Sequence, residues 1–152
     1  MREVPVEIAA YCAGLFDGEG CVDIHYFVNR HGRSDKRRSM FRIFVSNTFR
    51  DVLVWLSEQF GGSIYEKLGK SQKLHWKPGY QWCLYGKDAL TFLQMVAPYV
   101  RIKTEAVQIG ILFGGTIKDR SQNEYLSENE KELRMSLCEE LHRVNRRGVK
   151  EE

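Results

Sequence analysis

Ala10, Gly14 and Gly18 recur every fourth residue, and the stretch CAGLFDGEG (Cys12 to Gly20) ends just where the hydrophobic period changes. Small residues four apart line one stripe of a helix. Such a stripe lets another backbone approach closely, either another helix of this chain or the same helix of a second copy. A helix is expected from about Pro5, a residue suited to a first helical position, to about Asp17. Ile8, Tyr11, Cys12, Leu15 and Phe16 cover its other faces and can form core. Gly18 and Gly20 should then break it, leaving Glu19 without bulky neighbours where the chain can turn tightly.

From Cys21 the period is two. Val22, Ile24, Tyr26 and Val28 alternate with Asp23, His25, Phe27 and Asn29, which reads as a strand with one buried face. A basic turn, RHGRSDKRRS, leads to Phe41, Ile43 and Val45 alternating with Arg42, Phe44 and Ser46. A helix should follow from about Thr48 to Phe60, capped by Ser46, Asn47 or Thr48 and stopped by Gly61-Gly62. SIYEKL and YQWCLY form a second hairpin around a Lys-rich loop with Pro78-Gly79. Helices are expected at about 88–96 and 104–113, with Pro98 between them. Ser127 and Glu130 make a capping box for a last helix to about Arg146. The order α-ββ-α-ββ-α, followed by two more helices, implies an α+β fold. Its four-stranded antiparallel sheet would carry helices on one face.

At 152 residues the chain fits one domain, with a core over about 5–115 and a helical extension over about 116–152. Val22 to Gly86 carry 11 Lys/Arg against 5 Asp/Glu, a net +6, whereas the remaining residues carry 12 against 15, a net −3. The middle of the chain is thus where a polyanion would bind. The four cysteines lack paired spacing, and the histidines share no ligand spacing, which excludes a zinc site and favours a reducing compartment. No apolar run reaches the roughly 18 residues of a membrane span, and MREVPVEIAA lacks a signal-peptide core. The expectation is an intracellular protein, cytoplasmic or organellar and not secreted, with no membrane partner.

Glu19, a carboxylate beside a basic sheet, is suited to a hard divalent cation such as Mg²⁺, together with backbone carbonyl and phosphate oxygens. For an arbitrary D-G-E-G, a solvated turn is the simpler reading. CAGLFDGEG, however, resembles the signature of the LAGLIDADG homing endonucleases, matching at Ala13, Gly14, Leu15, Asp17 and Gly20. Glu19 replaces the last acid, Phe16 the isoleucine, Gly18 the alanine and Cys12 the leading leucine. The element order resembles the family up to about residue 115, and PYVRIKTEAVQI resembles its lysine-bearing segment. One motif in 152 residues resembles the single-motif homodimers. Two motif helices would then cross through Ala10, Ala13, Gly14 and Gly18, bringing two Glu19 carboxylates together over a near-palindromic duplex.

The resemblance implies metal-dependent phosphodiester hydrolysis. Glu19 would hold Mg²⁺, with the Gly18 carbonyl nearby. Lys103, or alternatively Arg101, would be the active-site cation, and Asn47 would order solvent unless it serves only as a helix cap. Asp17 reads as structural, holding the helix end. The outward face of the sheet would enter the major groove through Asp23, His25, Phe27, Asn29, Met40, Arg42, Phe44, Ser46, Tyr65 and Lys67. On the fourth strand either Gln81, Cys83 and Tyr85 or Tyr80 and Trp82 face the DNA, with a slight preference for the first set. Arg30, Arg33, Lys36, Arg37 and Arg38, with Lys70, Lys73 and Lys77, would grip phosphates. Nine strand residues cover about 30 Å, or roughly nine base pairs per subunit at about 3.4 Å each. The alternative is an RNA maturase, or a DNA-binding regulator that does not cleave, on the same fold. A small-molecule hydrolase using Asp17 and Glu19 as an acid/base pair lacks any other site residue.

Overall fold

Pro5 opens the first helix, its carbonyl accepting the N–H groups of Ile8 and Ala9. The computed structural model describes residues 3–28, 37–67, 78–117 and 127–146. Helix α1 spans Val6–Glu19, strand β1 Gly20–Val28, β2 Arg37–Asn47, α2 Arg50–Phe60, β3 Ser63–Lys67 and β4 Gly79–Tyr85. Helices α3 Gly86–Val96, α4 Thr104–Gly114 and α5 Glu128–Arg146 complete the chain. The expected order holds throughout. The sheet is antiparallel, with spatial order β1-β2-β4-β3.

One boundary differs from expectation in a way that matters for the site. Helix α1 continues through Gly18 to Glu19, and β1 begins at Gly20 with no intervening loop. Gly20 is extended, at φ −94° and ψ 163°, so left-handed freedom is not what it contributes. A Cβ at Gly20 would instead run into the Phe16 ring. The glycine lets the strand leave directly over a core aromatic.

Left-handed glycines are needed after α2. Gly61 and Gly62 have φ of +76° and +92°, values that other residues rarely adopt. The Gly61 N–H caps Ser57 O at 2.8 Å, and its carbonyl accepts the indole N–H of Trp82 at 2.8 Å. The helix begins two residues later than expected. Asn47, at the end of β2, accepts the Phe49 N–H at 2.8 Å through Oδ1 and so turns the chain into α2.

The core lies between the helices and one sheet face. Val22, Ile24, Phe41, Ile43, Val45, Trp82 and Leu84 are all buried there. They meet Phe16 of α1, Leu53 and Leu56 of α2, Phe92 and Leu93 of α3 and Val107 and Phe113 of α4. Phe16, Phe60, Trp82 and Phe92 form edge-on and tilted ring pairs with centroids 5.3–6.4 Å apart. Each such pair contributes about 0.5–1.5 kcal/mol beyond its buried area. Helix α5 joins this core through Leu137, Cys138 and Leu141. No helix among the described residues is long and apolar enough to cross a membrane.

Candidate active site and nucleic-acid interface

At the C-terminal end of α1, two side chains lock the helix to the segment before α4. The Asp17 carboxylate accepts backbone N–H groups from Arg101 at 2.7 Å, Ile102 at 3.1 Å and Lys103 at 3.0 Å. In return Lys103 Nζ donates to the carbonyls of Phe16 at 3.1 Å and Asp17 at 3.0 Å. Partial desolvation pushes the Asp17 pKa up, but the three N–H donors and the Lys103 charge outweigh it and hold the carboxyl below its ordinary value. Asp17 is thus placed as the structural reading expected. The Lys103 ammonium is engaged by helix carbonyls, which a lysine satisfies well at the negative end of a helix dipole.

Glu19, the last residue of that anchored helix, is exposed. It lines an open cleft of about 340 Å³ with Ser46, Asn47, Thr48, Lys67, Gly79 and Tyr80. The structure therefore brings two of the three expected catalytic residues, Glu19 and Asn47, to one cleft, which Lys103 does not line. Ser46 Oγ is buried without a hydrogen-bond partner among the described residues. The cleft's carboxylate, amide and hydroxyl oxygens are hard donors of the kind Mg²⁺ takes. Among the described residues no cluster of three or more His, Cys, Asp or Glu could hold a metal. One chain thus offers a single carboxylate there, as suits a cation that keeps water and phosphate in its shell.

The sheet face away from the helices carries the groups expected to meet nucleic acid. Cross-strand register sets Asp23 beside Arg42 and Arg42 beside Tyr85, Phe44 beside Cys83, Ser46 beside Gln81, and Gln81 beside Tyr65. This settles the open parity of β4. Trp82 and Leu84 are 0% and 2% exposed on the core side, so Gln81, Cys83 and Tyr85 face outward. Cys83 is nonetheless only 1% exposed. It forms a floor between larger neighbours that include Arg42, Tyr85 and Lys67, and its short side chain cannot reach a base. Phe44 has a similar role, with the Arg42 guanidinium 5.1 Å and the Lys67 ammonium 5.7 Å from its ring centre.

Asp23 is half-buried, and both its oxygens are engaged, Oδ1 with His25 Nε2 at 2.9 Å and Oδ2 with Arg42 Nε at 2.8 Å. Its geometry is that of a positioning group. Met40 is half-buried opposite His25, while Tyr65 and Lys67 are exposed. For Phe27, Arg37 and Arg38 only the backbone, within β1 and β2, is described. Asn29, Arg30, Arg33, Lys36, Lys70, Lys73 and Lys77 lie outside the described residues.

The small-residue stripe is on the surface. Ala10, Gly14 and Gly18 are exposed, and a Cβ at Gly14 or Gly18 would meet nothing within 4 Å. Ala13 differs from expectation. It is 0% exposed, because a residue one position before Gly14 is rotated about 100° toward the sheet. Tyr11, expected in the core, is 54% exposed beside the stripe and packs edge-on against Trp55 at 5.5 Å. All four cysteines are free, and burial pushes the Cys12 thiol up to about 12, which suits core packing and not nucleophilic chemistry.

No protein-family model and no curated protein matches the sequence. Solved structures match the fold. The archaeal intron-encoded homing endonuclease I-Vdi141I, complexed with DNA, superposes with a TM-score of 0.72 at 19% identity, covering 91% of this chain and 84% of that one. The homing endonuclease I-CvuI, in complex with its target in the presence of calcium, gives 0.70 at 14% identity over 91% and 82%. I-SmaMI, bound to an uncleaved DNA target with calcium ions, gives 0.65 at 17% identity. That likeness covers 93% of this chain but only 46% of I-SmaMI.

Proposed function

We propose that this chain, which has the fold of the LAGLIDADG homing endonucleases, is a site-specific double-strand DNA endonuclease. It acts as a homodimer on a long, near-palindromic target with a divalent cation, Mg²⁺ by preference, at Glu19. A mobile intron or intein-like element would encode it, and it would work inside the cell. The observation that carries this reading is the pairing of an open polar sheet face with a cleft where Glu19, Ser46 and Asn47 meet. A chain matching 46% of I-SmaMI supplies one such sheet, and two copies joined at the exposed α1 stripe would supply two.

In this reading the sheet lies in the major groove, which admits a β-ribbon, and Glu19 reaches the phosphate backbone at its inner end. The cation would polarise the scissile phosphate, activate water and neutralise the leaving 3′ oxygen. Glu19 holds it at the C-terminal end of α1, where the helix dipole favours positive charge. Asn47 and Ser46 orient water and phosphate oxygens. The Asp17–Lys103 lock fixes the helix end that carries Glu19, and the ammonium adds positive charge near the cleaved strand. A maturase or non-cleaving regulator has one observation on its side, the engagement of Lys103 with the carbonyls of Phe16 and Asp17.

The test is cleavage selection on a randomised, near-palindromic duplex library with Mg²⁺, comparing the native protein with Glu19→Gln. Discrete cut sites should appear and fall by roughly a thousandfold or more in the variant, with DNA binding retained. Binding without cutting by either protein selects the regulator or maturase, and RNA-stimulated splicing would identify the latter. Absence of binding at low salt sinks the DNA reading.

A further inference from the structure

Five side chains form one polar line across all four strands of the open face. His25 Nε2 meets Asp23 Oδ1 at 2.9 Å, and Arg42 Nε donates to Asp23 Oδ2 at 2.8 Å. Arg42 also hydrogen-bonds Tyr85, which in turn bonds Tyr65. In space the order is β1, β2, β4, β3, the order of the strands themselves. The guanidinium also lies 5.1 Å from the Phe44 ring centre. The guanidinium is therefore held between a ring, a carboxylate and a phenol. A surface arginine ordinarily gives up considerable rotamer freedom on binding. One held in this way has already lost it.

Asp23 takes the single N–H on Nε, so a base edge is met by the two terminal nitrogens. Parallel N–H donors on a fixed fork match O6 and N7 of guanine in the major groove, and no other base offers two acceptors there. We propose that Arg42 is the guanine reader of each half-site, with Asp23 and Tyr85 as its positioning residues. This inference rests on the endonuclease reading and names part of its substrate. Asp23 is four residues from Glu19, about 13 Å along the strand, so the guanine lies roughly four base pairs from the cut.

The experiment is a binding selection from a randomised duplex library in metal-free buffer, using the native protein, Arg42→Gln and Asp23→Asn. The native motif carries a guanine in each half-site at that spacing. Arg42→Gln shifts that position alone toward adenine, whose N6 and N7 a glutamine amide matches. Asp23→Asn keeps the guanine with weaker discrimination and leaves the other positions unchanged, which a general loss of fold would not do. Replacing the selected guanine with 7-deazaguanine requires no protein variant. It should weaken native binding roughly five- to a hundredfold and leave Arg42→Gln unaffected. A motif without that guanine, or full tolerance of 7-deazaguanine, overturns the assignment while leaving the endonuclease reading standing. A bound pool with no motif at all removes both.

Discussion

Five hydrogen bonds built on Asp17 and Lys103 tie residues 16–17 to residues 101–103, and so fix the helix end on which Glu19 sits. The carboxylate is held below its ordinary pKa in the folded chain despite partial desolvation. The stabilisation is therefore complete above the unfolded value, about 3.9, and is lost as pH falls through the lower folded value. Asp17→Asn should cost about 1–2 kcal/mol at pH 7, since a neutral amide accepts these bonds less strongly. Denaturant titrations at pH 7 and pH 3 check this: the gap between native and variant should be smaller at pH 3, below the unfolded carboxyl's value, than at pH 7. An equal gap at both values would mean the charge is not what matters. The acid's place at a helix end was readable from spacing alone. Its three N–H partners were not, because residues 101–103 reach it only through the tertiary fold.

Strand β1 lies at a sheet edge, where unpaired backbone groups invite another chain. Helix α5 covers it. His142 Nε2, 3.1 Å from Ile24 O, donates to that carbonyl, as Asn145 Nδ2 does to Val22 O at 3.2 Å. Leu141, 0% exposed, anchors the helix into the core. Leu141→Ala should cost about 2–5 kcal/mol, whereas Asn145→Ala should cost about 1 kcal/mol or less, because water can replace an exposed amide. Unfolding midpoints would read both, and a Leu141→Ala variant close to native stability would make α5 an appendage. At this scale alternation was a sound guide. Val22, Ile24, Phe41, Ile43 and Val45 are buried where period two puts them. At YQWCLY it gave only a slight preference, for the set that does face outward, because both parities there carry large apolar or aromatic residues, and the seat of Trp82 against Gly61 decides between them. Residue 13 was misplaced for a related reason: an alanine is small enough for a helix interface and apolar enough for a core.

At the scale of the whole molecule, the proposed endonuclease would use the sheet, the Glu19 cleft and the bare stripe of α1 together, with a second copy joined at the stripe. Under that proposal a single chain would offer one carboxylate to a duplex with two strands to cut. The stripe allows a test in which the single chain and the assembly respond in opposite directions. A side chain at Gly14 meets nothing within the subunit, and replacing a mid-helix glycine with leucine favours the helix by roughly 0.5–1 kcal/mol. The isolated fold of Gly14→Leu should therefore be as stable as the native one or more so, with unchanged far-ultraviolet dichroism. Two helices crossing through that stripe would instead be forced apart by the added side chain. Sedimentation should find the variant monomeric at concentrations where the native protein is a dimer. Its affinity for a duplex carrying both half-sites should fall to that for a single half-site, a loss of roughly 10²–10⁴-fold once the second contact is no longer intramolecular. A dimer that survives Gly14→Leu with full affinity would move the interface away from α1, and with it the argument that the two Glu19 carboxylates share one target.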